Sequence, residues 1–293
     1  MTPLLGIESV LLAALIVAAF DPPGHFFFEV RFRVSQLVDP ALHRERGESQ
    51  RCAFCNYRGK LTSEHIWPER FQTLFPELKM VKVQHGDPRS PLEFDAMAFT
   101  GKVRIDCDRC NNIKLETIER AAMPHIKFLA LAIHAGVLPF DAQRKLAAFG
   151  VRMLAVGQYT HTQLRPIPRH HREHLVLNRS PHQHTEVSLW AYYGPNFQAP
   201  QVRGIPQKVM LPGERIPDWI NAYRGIVRIG HLVIEVAGRT DGRPVVFLPK
   251  PPGTFVRIWP IDLRGPQVWP PNKSMTEVRW EQRVSDLDRA ITL

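Results

Sequence analysis

Apolar positions recur at helical spacing in the middle of the chain and at strand spacing in its last third. The pattern predicts one helix from Asn111 to about Ala135, interrupted near Pro124, and a second helix that starts with Asp141 as its N-cap and reaches about Tyr159. Further on, β-branched and aromatic residues predict strands at 185–193, 226–237, 244–248 and 254–261. This order favours the α+β class, with an antiparallel sheet in the C-terminal region.

The most apolar stretch of the chain is Leu4–Phe20. Small and polar residues interrupt it early, and its clean part, Val10–Phe20, is shorter than the roughly 20 residues of a spanning helix. No Lys or Arg precedes Arg31, although a signal peptide needs a positive start. A buried helix, or a start site placed too far upstream, is the leading interpretation. A membrane anchor is the alternative to the expected cytoplasmic location, and His25–Val34 is predicted to be a strand.

The segment after residue 50 contains short predicted elements. Arg51–Trp67 is predicted to form a β-hairpin with its turn near Gly59, and Pro68 is suited to open a short helix. Residues 79–98 are interpreted as a long inserted loop, either touching substrate or, more simply, a family insertion. Residues 102–106 are predicted to form a strand.

All four cysteines of the chain fall in two Cys-x-x-Cys knuckles, Cys52/Cys55 and Cys107/Cys110. A two-residue spacing lets both thiolates of a knuckle face one metal, and two knuckles complete a tetrahedron of the kind that holds structural zinc. The spacer 56–106 is longer than the roughly 15–20 residues of a zinc ribbon, so the metal would hold a long segment at its ends. Two disulfides or four unrelated thiols are the alternatives, but disulfides need an oxidising compartment.

Between the knuckles lies the pair Glu64-His65. Phosphodiester hydrolysis needs a base that activates water and a divalent ion that neutralises charge on the phosphate. A histidine is suited to be the base near neutral pH, and carboxylate and amide oxygens are suited to hold Mg²⁺ or Mn²⁺. A zinc-bound second knuckle would bring Asn111 near His65. The alternative, an ordinary pair at a strand edge, is weakened by the flanking knuckles and by Ile66-Trp67-Pro68.

These residues resemble the zinc-bearing branch of the HNH endonucleases. Its pattern runs Cys-x-x-Cys, then Asp/Glu-His-Ile-x-Pro, then Cys-x-x-Cys-Asn, and it is matched over roughly residues 50–120 by Cys52, Cys55, Glu64, His65, Ile66, Pro68, Cys107, Cys110 and Asn111. The resemblance implies a ββα-metal, treble-clef-like core and DNA as the substrate. It implies that His65 is the general base, that Glu64 and Asn111 hold the catalytic Mg²⁺ or Mn²⁺, and that the four cysteines bind a separate structural zinc.

Two departures from the family pattern stand out. The middle Asn or His that orients the base has no Asn counterpart between Ile66 and Asp106, and the only histidine there is His85. Ile113-Lys114-Leu115 replaces a Gly-Trp pair that is common in longer-tailed bacterial relatives. The expected organisation is an N-terminal apolar helix and strand at 1–47, the zinc-stapled core at 48–122, a helical segment at 123–184 and a β-rich domain at 185–293. A closing helix is expected within 272–293.

The chain has a formal net charge of +10 from 38 basic and 28 acidic residues. A basic surface attracts polyanions, which agrees with a nucleic-acid partner without demonstrating one. The alternatives are therefore a zinc-stabilised nucleic-acid-binding protein without catalysis, and a membrane-tethered effector.

Six of the thirteen histidines fall within 161–184. His170 and His174 are four residues apart and could share a helical face, so a second metal site is conceivable. A polar segment that faces phosphate or solvent is the favoured interpretation. Glu119 is expected to support the site from behind or simply to be solvated.

Overall fold

The computed structural model describes residues 27–28, 51–78, 80–87, 90–97, 99–131, 135–160, 166–194, 201–207, 221–243, 245, 253–263, 265–274 and 276. The apolar stretch 4–20, most of the predicted strands at 25–34 and 244–248, and most of 272–293 lie outside these residues. Within the described ranges, the helices are all too short or too polar to cross a membrane.

A two-stranded antiparallel sheet followed directly by a helix forms the centre of the N-terminal half. Strand β2, Leu61–His65, pairs with β5, Lys102–Cys107, with a bulge between Thr62 and Ser63. The helix begins as a π-helical segment, Cys110–Leu115, and continues as α2, Glu116–Leu131. The predicted hairpin within 51–67 is therefore wrong in its pairing, because Arg51 and Arg58 form only an isolated bridge and the long partner of β2 lies beyond the insert.

The insert is a β-hairpin and not the predicted loop. After the short helix α1, Phe71–Leu74, strands β3, Met80–Asp87, and β4, Ser90–Met97, pair antiparallel over their whole length. Strand β1, Phe27–Phe28, runs parallel to β3. Apolar residues alternate with polar ones along β4, a strand signal that the prolines at its start obscured.

Three helices cover the sheets. Helix α2 continues through Pro124, where an interruption was predicted, because its buried face with Ile118, Ala122 and Ile126 stays packed on both sides of the proline. Helix α3, Phe140–Gly157, has Pro139 as its N-cap, so the prediction for Asp141 was wrong by two positions. Asp141 lies in the first turn and pairs with Lys145 and Arg144. Helix α4 is Arg169–Asn178.

The C-terminal region is a five-stranded antiparallel sheet. Its strands are β7, Thr185–Ala191, β8, Gln201–Gln207, β9, Ala222–Ile229, β10, Leu232–Arg239, and β11, Val256–Trp259, in the order β11-β7-β10-β9-β8. The single strand predicted at 226–237 is in fact a hairpin, because Gly230, with φ +57°, turns the chain back. A smaller pair joins β6, Gly136–Leu138, to β12, Gln267–Trp269.

Helix α3 connects the two halves. A Cβ atom on Gly150 would lie 2.6 Å from Cγ2 of Ile234, so the missing side chain lets α3 lie directly on the large sheet. The same helix packs against α2, and one hydrophobic core runs from Cys52 to Trp269. The α+β class with predominantly antiparallel pairing is confirmed, whereas the domain boundaries remain a prediction.

Candidate metal centre

The four cysteines come together into one cluster. Their sulfur atoms all lie within 4.8 Å of one another, and Sγ of Cys55 is 3.6 Å from Sγ of Cys107. That separation is too long for a disulfide, whose sulfurs are about 2.05 Å apart. It is close to the roughly 3.8 Å expected between two ligands in a tetrahedron with 2.3 Å Zn–S bonds. The cluster could therefore hold a metal such as zinc.

Backbone hydrogen bonds hold the first knuckle against the second. The amide of Cys52 donates to the carbonyl of Tyr57 at 2.8 Å, and Asn56 adopts a left-handed φ of +59° that closes the turn. The amide of Ala53 donates to the carbonyl of Ile105 at 2.8 Å. Because Ile105 lies on β5 just before Cys107, this bond aligns the two knuckles without help from a side chain.

The thiols titrate as a group that lacks its own cation. A hydrogen bond from Cys110 lowers the pKa of Cys52 to about 4, and the same contact, with burial, raises the pKa of Cys110. Burial raises the pKa of Cys107 to about 11. One thiolate is thus stabilised at the expense of the others. A dication would let all four ionise, so the donor set fits a tetrathiolate zinc site.

Glu64 lies in the interior behind the β2–β5 pair. Only 4% of its surface is exposed, and its Oε1 atom accepts a hydrogen bond from Arg152 of α3. The same guanidinium makes an ion-pair contact with Glu119 of α2. It also donates to the carbonyls of His65 and Ile66, each at 2.9 Å. Arg152 therefore fixes the end of β2 and neutralises carboxylates from two elements.

Burial dominates the titration of this acidic cluster. It raises the pKa of Glu64, although the charge of Arg152 opposes the shift. Burial likewise raises the pKa of Glu119 to about 7. Asp106 is fully buried beside Glu64, and burial and the charge of Glu64 raise its pKa to about 8. A single guanidinium thus serves three carboxyl groups, and Asp106 carries a proton at neutral pH.

His65 is half-buried at the end of β2, opposite Lys102 in the strand pairing. Partial burial, and then the positive charge of Lys102, lower the pKa of His65 below its ordinary value. The imidazole is consequently neutral at pH 7, the form that can accept a proton.

Asn111 lies in the first turn after the second knuckle and contacts β2. Its Nδ2 atom donates to the carbonyl of Ser63 at 3.0 Å and to Oγ1 of Thr62 at 3.1 Å. The hydroxyl of Thr62 in turn donates to the carbonyl of Asp106 at 3.0 Å. Asn111 is therefore held against the strand that carries Glu64 and His65, with its amide oxygen outside both bonds.

Sequence reasoning missed the partner of Glu64. Arg152 is 88 positions away and resembles any other residue of an amphipathic helix. Glu119, for which a supporting role and a solvated position were both considered, is buried and paired. His85, the only histidine considered for orienting His65, lies on β3, and the side chains of that strand fall outside what the structure describes.

Comparisons of the chain with known protein families, with curated proteins and with solved structures found no match.

Proposed function

We propose that the protein is a zinc-stabilised, metal-dependent endonuclease of the HNH kind that hydrolyses phosphodiester bonds in DNA. The observation that carries this proposal is the hydrogen bonding of Asn111 to Ser63 and Thr62. It joins the first helical turn after the second cysteine knuckle to the strand that ends in Glu64-His65. Strand, strand and helix follow one another as the ββα arrangement requires.

In this proposal His65 is the general base. Its pKa is lowered and its ring is half-exposed, so it can take a proton from a water molecule at neutral pH. Asn111 offers an amide oxygen and Glu64 a carboxylate oxygen as ligands for Mg²⁺ or Mn²⁺. Such an ion would stabilise the charge that develops on the scissile phosphate and the leaving oxygen. Cys52, Cys55, Cys107 and Cys110 would hold zinc and keep these residues together.

A basic face beside His65 supports a nucleic-acid partner. The two residues of β5 that pair with Ser63 and His65 are Arg104 and Lys102, and both are exposed. Arg58, Lys60 and Arg109 are exposed in the adjoining turns. Cations grouped along one strand pair can contact successive phosphates of a nucleic-acid backbone.

A second candidate function is favoured by Arg152. Its guanidinium contacts Glu64 directly and is fully buried, so a divalent ion bound to Glu64 would lie next to a cation that has no access to water. A nucleic-acid-binding protein without catalysis would keep the basic face and the cysteine centre and would have no need of that ion.

A plasmid-nicking assay separates the two candidates. Purified full-length protein is incubated with supercoiled plasmid and Mn²⁺ or Mg²⁺, and we expect nicked and linear products that EDTA prevents. The variant His65→Ala should lose cutting while retaining its zinc, and His125→Ala, a half-buried histidine of α2, should cut as the wild type does. If the wild-type protein shifts DNA in a gel and never cuts it, the second candidate is correct.

The basic face can be tested in the same preparation. Lys102→Ala and Arg104→Ala should each weaken DNA binding and reduce the slope of log K against log salt by about 1, as expected for the loss of one phosphate contact. Lys145→Ala, at a half-buried lysine of α3 that is already paired with Asp141, is the matched control. Equal slopes for all three variants would remove the basic face from the proposal.

A further inference from the structure

Five histidines form a second cluster on helix α4 and the turn that follows it. His170 and His171 lie on the helix with His174, and His182 and His184 come from the turn. Arg179, with a left-handed φ of +53°, ends the helix and reverses the chain, which brings His182 back over the helical histidines. The ring centroid of His182 lies 4.2 Å from that of His171, 5.2 Å from that of His174 and 5.4 Å from that of His170.

The nitrogens of three of these rings are close enough to share one ion. The candidate ligand atoms of His170, His171 and His182 all lie within 4.8 Å of one another. His174 is one helical turn from His170, the spacing that puts two side chains on the same face. His170 is exposed and His182 half-buried, so the cluster opens to solvent on one side.

His171 is the best-prepared ligand of the cluster. It is 1% exposed, and its Nδ1 atom lies 2.8 Å from the hydroxyl of Tyr223, which itself lies 3.1 Å from Oγ1 of Thr185. Its Nε2 atom is buried and has no hydrogen-bond partner among the described residues. A buried polar atom without a partner is costly. A metal-binding histidine typically has this arrangement, with one nitrogen oriented by a neighbouring group and the other turned to the ion.

We propose that His170, His171 and His182, with His174 as a further ligand, form a binding site for a divalent transition ion such as Zn²⁺. Imidazole nitrogens suit Zn²⁺, Ni²⁺, Co²⁺ and Cu²⁺ and not Mg²⁺ or Ca²⁺, which prefer oxygen. This site is separate from the cysteine cluster, which supplies only sulfur. It does not depend on the proposed nuclease activity.

The protonation of the cluster agrees with a metal site. Burial lowers the pKa of His171 to about 2 and that of His182 to about 4, with the neighbouring histidines adding to both shifts. The pKa values of His170 and His174 are lowered as well, chiefly by burial. The rings are therefore neutral at pH 7 and their nitrogen lone pairs are available without proton release.

Metal binding requires one local movement. The rings of His171 and His182 are stacked at an interplanar angle of 19°, so their in-plane lone pairs run side by side instead of converging. The Nδ1 atom of His182 accepts a hydrogen bond from the amide of His184 at 3.2 Å, at the long end of the usual range. Rotation of this half-buried ring breaks that bond and turns a nitrogen toward His171 and His170.

The ring of His171 is held in place from the other side of the helix. Arg172, the next residue, donates through Nε to the carbonyl of Ala53 at 2.8 Å, inside the first cysteine knuckle. Helix α4 is thereby fixed to the zinc-binding region, so His170 and His171 stand on a rigid support and only His182 has to move.

Cobalt titration of the full-length protein tests the proposal. Thiolate ligands give Co²⁺ an intense sulfur-to-metal charge-transfer band, whereas imidazole ligands give only ligand-field bands. Protein that already carries zinc on its cysteines should bind about one further Co²⁺ per chain with ligand-field bands and no charge-transfer band. Total metal content after zinc loading should be about two ions per chain, because each cluster holds one.

Variants decide which residues bind the ion. The double variant His170→Ala/His182→Ala should bind the additional Co²⁺ at least tenfold more weakly, and Tyr223→Phe, which removes the group that orients His171, should weaken it about tenfold. His125→Ala is the matched histidine control and should bind as the wild type does. Circular dichroism and the zinc content of the cysteine centre report whether each variant is folded. The proposal is overturned if folded wild-type protein takes up no second ion, or if the double variant loses less than tenfold in affinity.

Discussion

The cysteine cluster and the Glu64 cluster both gather acidic groups away from water, and they differ in the source of the compensating cation. Around Glu64 the chain supplies the cation itself, because Arg152 contacts Glu64 and Glu119 in the interior. Among Cys52, Cys55, Cys107 and Cys110 the described residues supply none, and the resolved pKa shifts divide between one lowered thiol and two raised ones. One cluster is internally neutralised and the other depends on an ion from solution.

This difference separates two ways of holding one strand pair. The cysteines fasten the ends of the long insert and the start of the helix, whereas Arg152 fastens the end of β2 to α2 and α3. A cation from solution makes folding depend on metal concentration and pH. A cation from the chain makes it depend on a single buried side chain. Each dependence can be broken on its own.

The largest effect is expected for Cys107→Ser. A structural zinc site contributes about 10–16 kcal/mol of apparent binding energy at pH 7, comparable with the net stability of about 5–15 kcal/mol of a whole protein. We therefore expect a protein without zinc and without a cooperative unfolding transition, as measured by metal analysis and circular dichroism. Asn112→Ala, at an exposed position in the same helical turn, should keep its zinc. A folded Cys107→Ser protein without zinc would show that the cluster does not need an external cation.

The next effect is expected for Arg152→Met. Removal of the guanidinium leaves Glu64 and Glu119 buried without their counter-charge, and breaking such a pair costs about 3–5 kcal/mol. Urea denaturation should show this loss, while Arg144→Met, at an exposed arginine of the same helix paired with Asp141, should lose about 0–1 kcal/mol.

A compensating triple variant sharpens that measurement. Arg152→Met combined with Glu64→Gln and Glu119→Gln removes the unpaired charges together with their partner, so part of the lost stability should return. If the triple variant is no more stable than Arg152→Met alone, most of the loss comes from the hydrogen bonds to the carbonyls of His65 and Ile66 and not from the unpaired charges.

A smaller effect is expected for Arg172→Met. This buried arginine joins α4 to the first knuckle through the carbonyl of Ala53, and a hydrogen bond that involves a charged group contributes about 1.5–3 kcal/mol. We expect a loss of about 2–3 kcal/mol and a lower zinc affinity of the cysteines. Arg169→Met, which removes a partly exposed pair with Glu173, should cost about 0.5 kcal/mol. An unchanged zinc affinity would mean that the cysteine cluster holds its shape without α4.

Sequence patterns predicted the parts of this arrangement that lie close together along the chain. The spacing within each knuckle indicated the cysteine cluster, and apolar periodicity indicated α2 and α3 to within a few residues. The proposed contact of Asn111 with the Glu64-His65 strand followed from assuming that zinc joins the knuckles. The structure brings Asn111 to Ser63 and Thr62 of that strand.

Contacts that depend on tertiary packing were not predictable in this way. Arg152 reaches Glu64 only because Gly150 lets α3 lie on the large sheet while its other face meets α2. His182 reaches His171 only because the chain reverses at Arg179. The β3–β4 hairpin was missed because the prolines at its turn obscured the alternation in β4.

The smallest effect, and the one that compares the clusters most directly, is the pH dependence removed by Glu119→Gln. Burial raises the pKa of Glu119 to about 7 from an ordinary value of 4.5, so between these pH values the folded protein holds a proton that the unfolded chain has released. The stabilisation is therefore complete below pH 4.5 and is lost as the pH rises through 7. Relative to Glu119→Gln, the wild type should lose on the order of 1–2 kcal/mol between pH 5 and pH 8, since a full unit of pKa shift corresponds to about 1.4 kcal/mol and the charge of Arg152 offsets part of the effect of burial. Urea denaturation of both proteins at pH 5, 6.5 and 8 measures the difference. A difference that stays constant or grows with pH would mean that Glu119 is ionised throughout, and that the internal cation neutralises its cluster as fully as zinc would neutralise the thiolates.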